Sequence, residues 1–300
     1  MSLIESALAK LRRASEAEAQ HQGAHVAAAA TAVKASAAVA VAPAPEPQAM
    51  EPARRITINL QALRESGYLP EEVVERRFAD HYRLIKRPLV EKALAGGAGM
   101  RLIIVTSALA GDGKTFTSLN LGLSMARERD ASVLLVDADT PRGHISEILG
   151  LRGAPGLLDA IADASIDVES LVLGTDIHGL RILPVGKFSE GATELLASAR
   201  MAQIVAALAA RNPRRIVLFD SAPLLVSSEA RALTRIAAQI VLVARVGKTP
   251  YRAVADALAQ IDRGKVQGLI LNQAPNRSGG RYYYGYFGDG PAASDDPYAP

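Results

Sequence analysis

The stretch Val105-Thr106-Ser107-Ala108-Leu109-Ala110-Gly111-Asp112-Gly113-Lys114-Thr115 decides how this chain is read. An apolar run, Leu102-Ile103-Ile104-Val105, leads into it, and Thr115, Leu119, Leu123 and Ala126 follow at helical spacing. Strand, glycine-bearing loop, Lys-Thr and helix together form a phosphate-binding loop. Gly111 and Gly113 let successive backbone N–H groups turn inward toward phosphate oxygens. The helix starts at the loop, so its positive end faces the same anion. Lys114 has the reach for the β- and γ-phosphates, and the Thr115 hydroxyl can complete a Mg²⁺ shell. The expected ATP contacts are Ala110, Gly111, Asp112, Gly113, Lys114, Thr115 and Phe116. The first position of the G-x-x-x-x-G-K-[ST] pattern is Ala108 rather than Gly. A chance Gly/Lys turn is the bland alternative, but it gives no reason for the strand before and the helix after.

Further β-branched apolar runs stand at 132–136, 180–183, 216–219, 240–243 and 266–271, with helical segments between them, clearest at 115–129, 199–211 and 250–262. Strands this apolar are expected to be buried on both faces. The fold class is therefore α/β, a mostly parallel sheet flanked by helices. Ligands of such sheets sit at the carboxyl ends of the strands.

Two of those ends carry acid. Val133-Leu134-Leu135-Val136 runs into Asp137-Ala138-Asp139, and Ile216-Val217-Leu218-Phe219 runs into Asp220. Buried carboxylates need compensation, which Mg²⁺ supplies. Asp220 suits that role; a helix N-cap is the bland alternative. A second acidic pair is redundant for Mg²⁺ alone, so Asp137 or Asp139 is free to act as a base. The candidate catalytic residues are Lys114, Asp137 and Asp139, and the candidate metal ligands are Thr115, Asp137 and Asp220. His144 and His178 lack partners at metal-ligand spacing and read as surface or packing residues.

The 300 residues are 49% hydrophobic, ample for a core, and a dispersed net charge of +3 does not point to nucleic acid. With no cysteine, disulfides, thiolate nucleophiles and cysteine metal sites are excluded. No secretory signal is expected, and the Ala-rich run from Ala27 to Ala44 is too weakly apolar, with Lys34 inside it, to span a membrane.

Residues 1–20 are expected to hold a short amphipathic helix, with Leu3, Ile4, Ala7, Leu8 and Leu11 on one face. It can dock on a partner or a membrane surface, or pack within the chain. Residues 21–53 read as an Ala/Pro-rich linker, 54–276 as the globular domain and 277–300 as a flexible tail. A charged helical region over 71–94, broken near Pro88, is either a solvated flank or an oligomer contact built from Asp80, Arg83 and Lys86. In the tail, Tyr282, Tyr283, Tyr284 and Tyr286 crowd among glycines, offering phenol hydroxyls beside a Mg-ATP site. A phenol with a reference pKa of about 10 needs a proton acceptor to attack at neutral pH.

The chain resembles the bacterial tyrosine kinase family, P-loop kinases of polysaccharide export, from about Arg76 onward. Ala108 to Thr115 resembles that family's Walker A motif, Val133 to Asp139 its Walker A′ and Ile216 to Asp220 its Walker B. Asp80-His81-Tyr82-Arg83-Leu84-Ile85-Lys86 is similar to its E-x-x-R-x-x-R oligomerisation motif, with Asp and Lys at the outer positions. Pro141 stands where the family usually carries a basic residue, and Ala222 replaces the first proline of its Asp-x-Pro-Pro pattern. Met1 to Glu5 and Ala192 to Ser198 resemble, more narrowly, autokinases of exosortase-type exopolysaccharide systems.

The resemblance implies an ATP- and Mg²⁺-dependent autokinase that phosphorylates its tyrosine cluster in trans as a homo-oligomer. Asp137 would be the favoured base, with Asp139 supporting the base or the metal. The implied partners are a chain-length-determinant membrane protein as activator and a cognate phosphotyrosine phosphatase, with no nucleic acid. The implied location is cytoplasmic, peripheral at the inner face of the plasma membrane through a partner. Tail phosphorylation is expected to dissolve self-assembly by repulsion from an acidic rim of Asp137, Asp139 and Asp220. Two other functions fit parts of the pattern. A partitioning-type switch ATPase would carry a lysine where this chain has Leu109, and a nucleotide-sensing scaffold would form no phosphotyrosine.

Overall fold

Leu102–Ser107 (β2) is buried along its whole length, as a strand covered on both faces must be. The computed structural model describes residues 54–187 and 191–274. The expected N-terminal helix, the linker and the tyrosine tail lie outside the described residues. Around β2 an eight-stranded sheet assembles from β1 (Arg55–Ile56), β3 (Ser132–Ala138), β4 (Leu173–Thr175), β5 (Leu180–Leu183), β6 (Arg215–Ser221), β7 (Gln239–Arg245) and β8 (Val266–Asn272). Their order is β1-β4-β5-β3-β6-β2-β7-β8. Every pairing is parallel except β4 with β5.

Alternation along the strands divides the core in two. Ile103, Val105, Val133, Leu135, Ile216 and Leu218 face one side, where α2 (Glu72–Ala95) and α3 (Lys114–Met125) pack. Ile104, Leu134, Val136, Val217 and Phe219 face the other, covered by α5 (Leu157–Ala162), α7 (Ala199–Ala210) and α8 (Ser228–Ile236). Three short helices, α1 (Leu60–Glu65), α4 (His144–Ile148) and α6 (Ala192–Leu196), and the helix α9 (Tyr251–Leu258) complete the domain. Among the described residues no helix is long and apolar enough to cross a membrane.

Three expectations are corrected. β8 is not buried on both faces: at the sheet edge, Leu269 and Leu271 are 48% and 60% exposed. The charged region does not break at Pro88, because α2 runs through it to Ala95. A mid-helix proline costs about 3 kcal/mol through its missing N–H and ring clash. Burial of Leu89, Val90 and Ala93 against the α3-side core offsets that. Nor is α2 a merely solvated flank. Lys86 is buried, donating to the Ser124 carbonyl at 2.8 Å and pairing with Glu128 at 2.7 Å. It therefore ties α2 to the negative end of α3 rather than offering a contact to another subunit. Of the three residues, only Asp80 and Arg83 are exposed, and they pair with each other at 2.7 Å.

Candidate active site

Strand parity aims the acids. On β3 the α3-facing residues are Val133 and Leu135, so Asp137 points the same way; on β6, Ile216 and Leu218 carry Asp220 to that side. In-register pairing places Asp137 opposite Asp220, and Asp220 opposite Val105, at the mouth of the loop. All three acids sit beneath the start of α3, with Asp137 and Asp220 fully buried and Asp139 only 2% exposed.

Gly111 (φ 82°) and Gly113 (φ 95°) take the left-handed conformation that the loop's turn requires. Ala108 needs no such conformation; its methyl is buried against Ala222 and Leu224, which explains why alanine serves where the pattern has glycine. Leu109 packs against the same cluster, so no lysine projects from that position. No side chain caps the N-terminus of α3 and its first turn holds no acid, leaving the positive end and its N–H groups for an anion. Lys114 and Thr115 are buried at that end.

Two predicted nucleotide contacts have side chains engaged elsewhere. Asp112 accepts from the Leu109 N–H at 3.1 Å and the Thr249 hydroxyl at 2.6 Å, so its carboxylate braces the loop. The Phe116 ring packs edge-on against Phe78 of α2, with centroids 6.0 Å apart. Both residues keep only backbone groups for a nucleotide, while Ala110 and Gly111 are exposed at the loop's tip.

The acids differ in their surroundings. Asp137 Oδ2 accepts from the Ser146 N–H and hydroxyl, both at 2.7 Å, while its Oδ1 has no partner. Asp220 Oδ1 accepts from Ser118 at 2.9 Å, while its Oδ2 has no partner. Two orphaned carboxylate oxygens on neighbouring strands, beside the Thr115 hydroxyl, fit a divalent cation that also takes phosphate and water oxygens. Among the described residues no group of three or more His, Cys, Asp or Glu could cage a metal unaided.

Burial raises the proton affinity of all three acids. For Asp220 the charge of Asp137 adds to this, while Lys114 and the hydroxyls of Thr115 and Ser118 oppose it. For Asp137 the Ser146 hydrogen bonds oppose burial. For Asp139 the opposing charges are Lys114, His144 and Arg142. Groups that hold protons more tightly folded than unfolded stabilise the protein fully at low pH. They lose that contribution as pH rises through their folded values. With Asp137 pushed up to about 6 and Asp220 to about 7, the nucleotide-free protein should lose stability from this site between about pH 4 and pH 7, whereas Mg-nucleotide, which needs the ionised acids, should stabilise it more at the upper end. Thermal unfolding with and without Mg-ADP across that range checks both signs.

The buried acids offer no charged rim, so repulsion of a phosphorylated tail loses its expected basis. Sequence spacing also misses two neighbours. His144 at the start of α4 lies close enough to act on Asp139, and Ser146 holds Asp137. Neither has a motif signal, because α4 reaches the site only through the turn after β3.

No family model matches the chain. Tyrosine-protein kinase YwqD of Bacillus subtilis is 31% identical over 192 residues, which cover 63% of this chain and 78% of that protein. Tyrosine-protein kinase wzc of Salmonella typhimurium is 30% identical over 188 residues, 62% of this chain but 26% of its own length, so the match spans about a quarter of that relative. The kinase domain of Escherichia coli tyrosine kinase ETK superposes with a TM-score of 0.61 over 75% of this chain and 98% of that domain, at 24% identity. The chain belongs to the bacterial tyrosine-protein kinase family.

Proposed function

We propose that the protein is an ATP-dependent protein-tyrosine autokinase that phosphorylates Tyr282, Tyr283, Tyr284 and Tyr286 of a second copy, and thereby regulates exopolysaccharide polymerisation or export. The observation that carries this is the pair of free, buried oxygens, Asp137 Oδ1 and Asp220 Oδ2, in register beneath an uncapped phosphate loop. A nucleotide switch needs one acid on the metal. A second acid on the next strand, with a free oxygen and raised proton affinity, suits a base for an incoming phenol. Thr115 and Asp220 would hold Mg²⁺, which would neutralise charge on the phosphate oxygens; Asp137, whose Oδ2 is taken by Ser146, has only Oδ1 free and on this reading uses it as the base rather than on the metal.

The loop N–H groups and the α3 end bind and orient the triphosphate, and Lys114 stabilises charge on the transferring group. The phenolic oxygen attacks the γ-phosphorus, the bond to the β-γ bridging oxygen breaks, ADP leaves, and Asp137 Oδ1 accepts the phenolic proton. Asp139, beside Lys114 and Arg142, supports the site's charge balance. Burial excludes water that would otherwise compete for the phosphoryl group. On this reading the partners are a chain-length-determinant membrane protein as activator, which holds the kinase at the inner membrane face, and a phosphotyrosine phosphatase that resets it.

Incubation of the purified chain with Mg-ATP, with and without the activator's cytoplasmic segment, followed by mass-spectrometric mapping, tests the proposal. Phosphotyrosine should accumulate on residues 282–286. Its absence in both conditions, with nucleotide bound, would favour the switch or scaffold function instead.

A further inference from the structure

Asp112 is 3% exposed and lies in the phosphate loop, two residues before α3 begins. Its carboxylate accepts the Thr249 hydroxyl at 2.6 Å, and that hydroxyl in turn accepts the Arg245 N–H at 2.8 Å at the end of β7. The second carboxylate oxygen accepts the Leu109 N–H inside the loop at 3.1 Å. From the neighbouring strand, Asn272 Nδ2 donates to the Asp112 carbonyl at 3.0 Å. The same amide nitrogen packs onto Gly113, where an added Cβ would overlap it.

Asn272 is itself fixed. Its Oδ1 accepts the N–H of Gln273 at 2.9 Å, and among the described residues Gln273 is the one non-glycine with a positive φ, 53°. Such a backbone is strained for a residue with a side chain, by about 1 kcal/mol or more. It persists here at the place where the chain leaves β8 and the Asn272 amide turns to the loop.

We propose that Thr249 and Asn272 are positioning residues of the phosphate loop: with Asp112 they form a clamp from β7 and β8 that holds residues 109–113 in the shape that receives phosphate. This rests on the nucleotide-binding part of the function above. A glycine-bearing loop has many conformations to lose on binding, and Gly111 and Gly113 by themselves do nothing to restrict them. The clamp removes that freedom in advance, so less of the binding energy goes to ordering the loop. It meets the loop from the side opposite the buried acids, without touching the catalytic groups. Affinity and turnover should therefore separate.

The test uses the full chain and titrates Mg-ADP by calorimetry, alongside tail labelling at saturating ATP. Thr249→Val and Asn272→Asp should each weaken Mg-ADP about five- to ten-fold, as loss of one hydrogen bond predicts. Asn272→Asp keeps the shape but sets an acceptor against the Asp112 carbonyl. Thr249→Ser, which restores the hydroxyl, should return affinity to the wild-type value. Labelling at saturating ATP should stay within about two-fold of wild type in all three, since uniform binding moves KM and not kcat.

Wild-type affinity in both Thr249→Val and Asn272→Asp would overturn the proposal. So would an affinity loss that Thr249→Ser fails to restore, or one matched by an equal fall in kcat. A wild-type protein that binds Mg-ADP but labels no tyrosine would count against the kinase function alone and leave the clamp measurable.

Discussion

Lys114→Met should lower tyrosine labelling of residues 282–286 by at least about 10²–10³, the scale of removing one preorganised charge-stabilising group. Lys114 is 6% exposed, and its ammonium is a cation that opposes proton uptake at both Asp139 and Asp220. Methionine fills the same channel but leaves three buried carboxylates without that charge. They respond by holding protons more tightly, which preserves the fold and disables both the metal-binding Asp220 and the base Asp137. The variant should consequently unfold near the wild-type temperature without nucleotide, yet gain little from added Mg-ATP. Mass-spectrometric mapping together with thermal unfolding reads both arms. Tail label that persists in Lys114→Met would mean that a different kinase places it.

Asp137→Asn should move activity and stability in opposite directions. Labelling should fall by about 10²–10⁴, the usual scale for loss of a positioned base. Stability without nucleotide should rise by about 1–2 kcal/mol, because a carboxylate desolvated beside Asp220 is replaced by a neutral amide. The amide oxygen can still accept both Ser146 bonds, so α4 should stay in place. Denaturant unfolding gives the stability arm. A variant that is both inactive and less stable would show that Asp137 supports the fold rather than the reaction. Strain of this kind, unsatisfied acid held in a dry site, is what a functional site keeps at the expense of stability.

Much of the site is legible along the chain because its parts are local. A strand, a turn that needs left-handed glycines and a helix start are consecutive, so Gly111 to Thr115 announce themselves. The acids are legible for a similar reason: a carboxylate after four apolar residues marks the end of a buried strand. Strands β1, at one edge of the sheet, and β4 beside it are too short, at two and three residues, to show a period. The exposure of β8 follows from its place at the edge, which no run of apolar letters encodes.

What the sequence by itself determined is the inventory and its local geometry: the phosphate loop, the sheet class, the three acids and the lysine. Tertiary structure alone decided the partners. It showed that Asp137 faces Asp220 through register, that each keeps one free oxygen, and that Lys86 closes onto α3 instead of an oligomer face. It also showed that Thr249 and Asn272 reach the loop from 137 and 160 residues away from Asp112. The physical reason is that backbone preference and hydrophobic period act over a few residues. Which oxygen stays unpaired depends on strands brought together from distant parts of the chain.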